Sequence, residues 1–327
     1  MFTRGFEESC IELSSHPIAV LGENLVDLLV SPDGTVNAVI GGGPLNVACS
    51  IGRLGGDVRF VSGVSADAFG TFVREALSDS NVKLALDTPL AQPTTLAVVE
   101  LNPQGPRYHF HLTDTAAFAL DARETNSFVQ AIPDLAAIYF GTLGLLVEPM
   151  ASLGETLIMG APADTLAVID PNCRPSAIRD HAEYRARVAR LSARADVVKV
   201  STEDLEYLHP QLSSLEGARA ILGHGATCVI VTDGSAPVTA LTDQLEISVA
   251  VAPTDVVDTV GAGDALVGGF MTWWTGHDLT RQQLHDAAIL ESAVAAAIDI
   301  SRLTCQRAGA QPPLREEVLE LDGWRWL

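Results

Sequence analysis

Lysine is nearly missing from this 327-residue chain: only Lys83 and Lys199 occur, and 41 acidic residues bring the formal net charge to −21. A nucleic-acid backbone is neutralised by a field of lysines and arginines, so nucleic acid is not an expected partner. The same deficit does not exclude a small anionic ligand, because backbone N–H groups, a metal ion and one or two arginines suffice to hold a phosphate. Cysteine is also sparse: five residues, odd in number, lie far apart without a C-x-x-C pair, which fits a reducing compartment. Apolar runs long enough for a membrane span, about 18 residues, are lacking. The opening "MFTRGFEESC" has glutamates where a signal peptide needs an apolar core. The expectation is a cytoplasmic, soluble protein that binds neither nucleic acid nor membrane. Internal repeats and low-complexity linkers are absent as well.

What the chain does have is apolar residues, 47% against 19% charged, enough for a large buried core. Short β-rich runs recur with helical segments between them: "PIAVLG", "DVRFVSGV", "AAIYFGTLG", "LAVIDPN", "DVVKVS" and "TCVIVTDG". Several are almost continuously apolar, as strands covered on both faces are. The expected fold class is α/β, a doubly wound, mostly parallel sheet flanked by helices. "GTVNAVI", "TTLAVVEL" and "RYHFHL" alternate instead and lie near Gly, Pro and Asn turns. They predict a small antiparallel sheet, with Asn102, Pro103 and Gly105 in a hairpin turn. Because its segments, about 34–41 and 94–112, are separated in the chain, the expectation is one domain over 1–327 with an inserted lid. Residues 1–15 read as a loosely held extension.

The densest chemical signal is "DTVGAGDALVGGF", Asp258 to Phe270. The residues after "VGAG" are apolar nearly all round, which predicts a buried helix beginning at or near Gly263. The unpaired N–H groups of Gly261, Ala262 and Gly263 make that end an anion site that small residues leave open. Asp264 beside it is either a first-turn acid favoured by the helix dipole or a group with a chemical task. Two other glycine motifs fail on spacing. Neither lysine completes a Walker A loop, and G-x-G-x-x-G would need glycine where Leu266 and Asn46 stand.

A second cluster, "IGGGPLNVACSIGRLGG", predicts a helix with the stripe Val47, Ile51 and Leu54, Pro44 near its first turn and Gly55-Gly56 at its close. Gly42 and Gly43 lie just ahead of it. Asn46 falls in the first turn, to bond a polyhydroxylated ligand or simply to organise the turn. Asp27, in "GENLVDLL", reads as the end of the first core strand, where ligands of open α/β sheets collect, with a solvated surface acid as the alternative.

Together these motifs resemble the ribokinase-like, or PfkB, family of carbohydrate kinases. The family's C-terminal motif matches Asp258, Thr259, Gly261, Ala262, Gly263 and Asp264, then Gly268 and Gly269; its N-terminal motif matches Gly41 to Asn46 with Ala48 and Gly55. "FVSGVSADAFG" continues it, with Ser65 where the family usually has glycine. The resemblance runs from about Ile18 to Pro313. It implies that Asp264 is the general base for a sugar hydroxyl attacking the γ-phosphate of ATP, and that the 261–263 amides are the anion hole. That suits phosphoryl transfer, which asks mainly for positioning and charge stabilisation.

Further roles follow from the resemblance alone. Thr232 and Gly234 match a T-x-G turn near the ATP phosphates, although Pro237 replaces a common glycine. Lys199 and Ser201 fall to the nucleotide, and "STED" stands for N-x-x-E, making Asp204 a carboxylate near Mg2+ that acts through water. Cys305 and Gly309, in "TCQRAGAQPP", match the loop beside the adenine. Asp258 with this loop corresponds to the monovalent-cation site of many members, so K+ is an optional activator, and dimers of the family often use the lid face.

"GGGPLN", "RYHFHLTDTAAFAL" and "DPNCRPS" lean toward the fructokinase branch. They make Arg174, with Asn172 beside it, a contact to sugar or phosphate; a salt bridge or cap at the strand end is the alternative. Arg107, His109 and His111 share one side of the lid strand. Contacts to substrate fit this trio better than metal, since no third ligand cluster accompanies the histidine pair. The lid would close over the sugar and exclude water. The leading expectation is Mg-ATP-dependent conversion of fructose to fructose 6-phosphate. Ribokinase, 2-keto-3-deoxygluconate kinase and nucleoside kinase are rivals within the family, and a non-catalytic sugar or nucleotide sensor is the rival of another class, which would need no base.

Overall fold

Nearly continuous apolar runs become the innermost strands, and the alternating segments become a second sheet. The computed structural model describes residues 16–102 and 105–322. The chain begins with β1 (Ile18–Leu21), β2 (Leu25–Val30), β3 (Val36–Gly41), α1 (Gly43–Arg53), β4 (Val58–Val61), α2 (Ala68–Asp79) and β5 (Lys83–Leu84). It continues through β6 (Leu96–Glu100), β7 (Arg107–His111), α3 (Ala122–Gln130), β8 (Ala137–Gly141), α4 (Met150–Gly160), β9 (Leu166–Asp170) and α5 (His181–Ser192). Then follow β10 (Val197–Ser201), α6 (Thr202–Leu208), α7 (Ser214–Gly223), β11 (Cys228–Thr232), β12 (Val238–Leu241) and β13 (Glu246–Val249). Helices α8 (Ala262–Gly276), α9 (Ala287–Cys305) and α10 (Arg315–Asp322) end it.

The main sheet has nine strands in the order β13-β12-β11-β10-β9-β8-β1-β4-β5, parallel except for the antiparallel β12 and β13 at one edge. All six runs read as core strands lie in it. Because β1 pairs with β4 on one side and β8 on the other, the chain reverses its direction of winding there. A crevice opens at the carboxyl ends of strands at such a point. One apolar layer beneath the sheet is built on α1, α8 and α9, and another on α3, α4, α5 and α7, so the central strands are buried on both faces.

The small sheet has the order β3-β2-β6-β7 and is mixed: β2 and β6 run parallel, the outer pairs antiparallel. The expected segments supply β3, β6 and β7. Its remaining strand, β2, carries Asp27, which corrects the expectation that Asp27 ends a core strand. The core strand stops at Leu21, and Gly22-Glu23-Asn24 carries the chain into the second sheet. Asn24 pins that crossing, donating from Nδ2 to Ser62 Oγ and to the Gly63 carbonyl, both at 2.8 Å. The expected extension 1–15 and Pro103 of the hairpin turn lie outside the described residues.

Candidate active site

Both glycine clusters become helix N-termini facing one another. Helix α1 begins at Gly43 after Gly42 with φ +114°, and α8 begins at Ala262 after Gly261 with φ +76°. A side chain at Gly42 would also press on the Glu23 carbonyl at 2.7 Å, so glycine is required there twice over. Helix α8 is buried from Asp264 to Thr275, which explains its unbroken apolar sequence. Asp264 is therefore a carboxylate in the first turn of a buried helix. Oδ2 accepts from Asn46 Nδ2 at 2.9 Å. Burial raises its pKa; the Asn46 amide, Lys199 and Arg174 pull the other way.

A polar cavity of about 340 Å³ opens in front of Asp264, walled by Glu23, Asp27, Gly42, Gly43, Asn46, Tyr108, Phe110, Thr142, Asn172, Arg174, Lys199 and Gly261 among others. It thus joins the carboxyl ends of β1, β8, β9 and β10, the N-termini of α1 and α8, and the small sheet. Asn172, at φ +38°, turns the chain after β9. Arg174 donates from Nη1 to Asn172 Oδ1 at 2.6 Å and to the Asn172 carbonyl at 3.0 Å, so it is set by its neighbour in the turn. Burial lifts Asp27 to about 6, against the pull of Arg174.

Lys199 points up from β10 and is buried. Nζ lies 3.1 Å from Asp170 Oδ2 and 2.9 Å from where a side chain on Gly263 would begin. Burial alone would depress its pKa, yet Asp170, Asp204 and Asp264 together hold it above the ordinary lysine value. Asp170 is lifted by burial to about 6 and eased downward by Lys199. A cation is thus fixed under the N-terminus of α8.

On the far side of that N-terminus lies a larger, more apolar cavity of about 740 Å³, whose walls include Thr232, Gly234, Val251, Ala252, Pro253, Leu266, Ile298 and Cys305. Thr259 and Gly263 belong to both cavities, so the start of α8 is the wall between them. A polyhydroxylated ligand suits the first and a flat heterocycle the second. A transferred anion would then sit between them on the N–H groups of Gly261 and Gly263; the Ala262 N–H, expected to join them, donates to the Thr259 carbonyl at 3.2 Å instead.

Several expectations need correction. Arg107 is exposed on the side of β7 away from the polar cavity; strand alternation brings Tyr108 and Phe110 to it instead. His109 shares the outer side and pairs with Glu100 at 3.2 Å. Ser201 and Asp204 form a capping box at the start of α6: Asp204 Oδ2 accepts the Ser201 amide at 2.8 Å and hydroxyl at 2.9 Å, while Oδ1 accepts the Cys173 amide at 2.6 Å. Neither residue lines either of these two cavities, and these bonds have Asp204 holding the 171–174 turn. Gly309, at φ +71°, also stands outside both walls and donates to Asp258 Oδ2 at 2.8 Å; Asp258 Oδ1 accepts from the Val260 amide at 3.1 Å. Asp258 therefore ties together the loops before and after α8 and α9.

Sequence reasoning passed over Glu23, Thr142, Asp170, Tyr108 and Phe110. Asp170 and Glu23 stand inside quoted motifs, "DPN" and "GEN"; Thr142 carries no local signal, since its place depends on the residues it meets. Among the described residues no three His, Cys, Asp or Glu side chains converge on a metal position. Magnesium retains water and is commonly held by substrate phosphates with one or two carboxylates, so this donor set fits Mg2+ delivered on a triphosphate rather than a cage of protein ligands.

Comparison with known proteins agrees with this geometry. The chain matches the pfkB family carbohydrate kinase pattern over residues 18–317. It is 31% identical to a fructokinase of Rhizobium leguminosarum bv. trifolii over 317 residues, 94% of each chain. Among solved structures it is similar to a fructokinase with bound ATP from Xylella fastidiosa, with a TM-score of 0.83 and 25% identity, covering 95% of this chain and 99% of that one. It is also similar to a fructokinase from Vibrio cholerae O395 in fructose, ADP and calcium ion bound form, with a TM-score of 0.80, 26% identity and coverage of 94% and 98%. Two glycine-opened helices meeting over one buried aspartate, and a match spanning nearly the whole chain, place this protein in the pfkB family of carbohydrate kinases.

Proposed function

We propose that the protein phosphorylates fructose, with the polar cavity as the sugar site and the larger cavity as the site of ATP. The observation that carries this is Asp264: a buried carboxylate, held by Asn46, on the wall shared by the two cavities. The similarity to fructokinases supports the choice of sugar.

In this reading Asp264 accepts the proton of the sugar hydroxyl as its oxygen attacks the γ-phosphorus. Its raised pKa makes it a better base than a solvated aspartate. The N–H groups of Gly261 and Gly263 meet the charge that develops on the transferred group, with Lys199 beneath them and Arg174 across the cavity; Ala262 keeps that turn closed through its bond to the Thr259 carbonyl. Asp27, Asn46 and the backbone at Gly42 and Gly43 hold sugar hydroxyls. Thr232, Gly234 and Cys305 line the nucleotide side. Magnesium, when bound, supplies neutralisation of the triphosphate oxygens.

The small sheet acts as a lid, with Tyr108 and Phe110 against the sugar. Its exposed Val36 and Val39, on the edge strand β3, are the surface through which a homodimer would form, which sedimentation of the parent and of Val36→Lys tests. Potassium activation is tied to the loop held by Asp258 and Gly309, and is tested by exchanging KCl for choline chloride. The cytoplasm is the compartment proposed; among the described residues no helix is long and apolar enough to cross a membrane.

The deciding experiment is ADP release from Mg-ATP across fructose, ribose, 2-keto-3-deoxygluconate, tagatose, glucose and adenosine, with Asp264→Asn beside the parent. Fructose should lead, and the variant should lose about 10²–10⁴-fold in kcat while still binding sugar. Sugar binding without ADP release by the parent would reject the kinase reading in favour of a sensor.

A further inference from the structure

One buried acid beside the sugar cavity has no part in the proton or phosphate chemistry. Glu23, in the link between β1 and β2, is 1% exposed and belongs to the cavity wall. Both its oxygens turn to the segment after β8. Thr142 Oγ1 donates to Oε1, and the Gly144 N–H donates to Oε2 at 3.1 Å. Thr142 has φ +53°, a left-handed backbone that a β-branched residue seldom adopts. Such a residue persists only where its surroundings over-determine it. Here the restraints are the two bonds to Glu23, on either side of Leu143.

What Thr142 touches gives the arrangement its consequence. It lines the sugar cavity itself. Its methyl carbon lies 2.6 Å from where a side chain on Gly43 would begin, so it abuts the first residue of α1. Within the same first turn stands Asn46, bonded to Asp264. A chain of direct contacts therefore runs from Glu23 through Thr142 and the N-terminus of α1 to the base.

We propose that Glu23 is a positioning residue for the sugar: its carboxyl group holds Thr142 in the left-handed conformation, which sets the cavity wall and the seat of α1. The proposal rests on the sugar-kinase reading above. Glu23 does not touch the reacting atoms in it. The property it governs is sugar affinity, so variants should separate the KM for fructose from that for ATP.

The test compares the parent with Glu23→Gln, Thr142→Gly and Thr142→Ser, by steady-state ADP release with fructose and Mg-ATP varied in turn. Gly takes φ +53° freely but lacks the hydroxyl and methyl, whereas Ser returns the hydroxyl to Glu23. The fructose KM should rise about tenfold in Glu23→Gln and Thr142→Gly and return to within about twofold of the parent in Thr142→Ser. The ATP KM should stay within about twofold throughout. If Glu23→Gln does not fold, the two Thr142 variants decide. An unchanged fructose KM in Thr142→Gly overturns the proposal, as does a joint rise of both KM values. A parent that releases no ADP with any sugar overturns the sugar-kinase reading itself, a result distinct from either.

Discussion

The side-chain amide of Asn46 donates to Asp264 at 2.9 Å, joining the first turns of two helices that lie 218 residues apart in the chain. The contact has an electrostatic effect. Burial pushes the Asp264 carboxyl up, and the Asn46 hydrogen bond is the foremost influence holding it down. A base works only when deprotonated, so kcat should fall as pH drops through this raised pKa. Removing the donor in Asn46→Ala should move the acid limb of the kcat profile to higher pH. A limb at the parent's position would mean that Asp264 is not the titrating base.

Lys199 and Asp170 form a buried ion pair at 3.1 Å, with side chains 6% and 0% exposed. Replacing Lys199 by Met leaves Asp170 without its cation, and breaking such a pair costs about 3–5 kcal/mol. The double variant Lys199→Met/Asp170→Asn should regain much of that stability in urea melts. It should not regain kcat, because the cation under the anion site is still missing. Recovery of both would assign Lys199 to structure alone.

Tyr108 and Arg107 are neighbours on β7 with opposite outlooks. Tyr108 lines the polar cavity proposed to hold the sugar and Arg107 does not. Tyr108→Ala should raise the fructose KM about tenfold, while Arg107→Ala stays within about twofold of the parent. The reverse ranking would show that the lid meets the sugar with its other face.

Glu23 ties stability to pH. Burial lifts its carboxyl from an ordinary 4.5 to about 7, so between those values the folded state binds the proton that the unfolded state has lost. The associated stabilisation is complete below the unfolded value and disappears as pH rises through the folded one. The shift corresponds to something on the order of 3 kcal/mol. Glu23→Gln does not titrate, so its stability relative to the parent should grow by roughly that amount from about pH 4 to about pH 8, as urea melts would measure. A constant difference would mean that Glu23 ionises alike in both states.

Much of the architecture is legible before any coordinates. "LAVID" and "CVIVT" are continuous because β9 and β11 are covered on both faces. "GGGPLN" and "VGAGD" announce helix starts because glycine permits the positive φ seen at Gly42 and Gly261. The small sheet was legible only in part. The run "LVDLLV" follows a core strand after three residues and carries no signal that it belongs to a different sheet. Its assignment is made by pairing with β3 and β6.

Chemistry carried by spacing was therefore set in the chain: an acid directly after a small-residue turn, ahead of an apolar run, becomes a buried first-turn carboxylate beside the N-terminus of α8. Chemistry carried by neighbours was decided by the tertiary structure. Asp204 satisfies a turn and a helix cap because Cys173 and Ser201 converge on it. Tyr108 rather than Arg107 meets the cavity because the register with β6 orients that strand. Glu23 holds Thr142 across 119 residues of sequence because the carboxyl ends of β1 and β8 adjoin at the winding reversal. Backbone conformation is a local property that residue type restricts directly, whereas the partner of a buried polar group is whatever the packed sheets bring within about 3 Å.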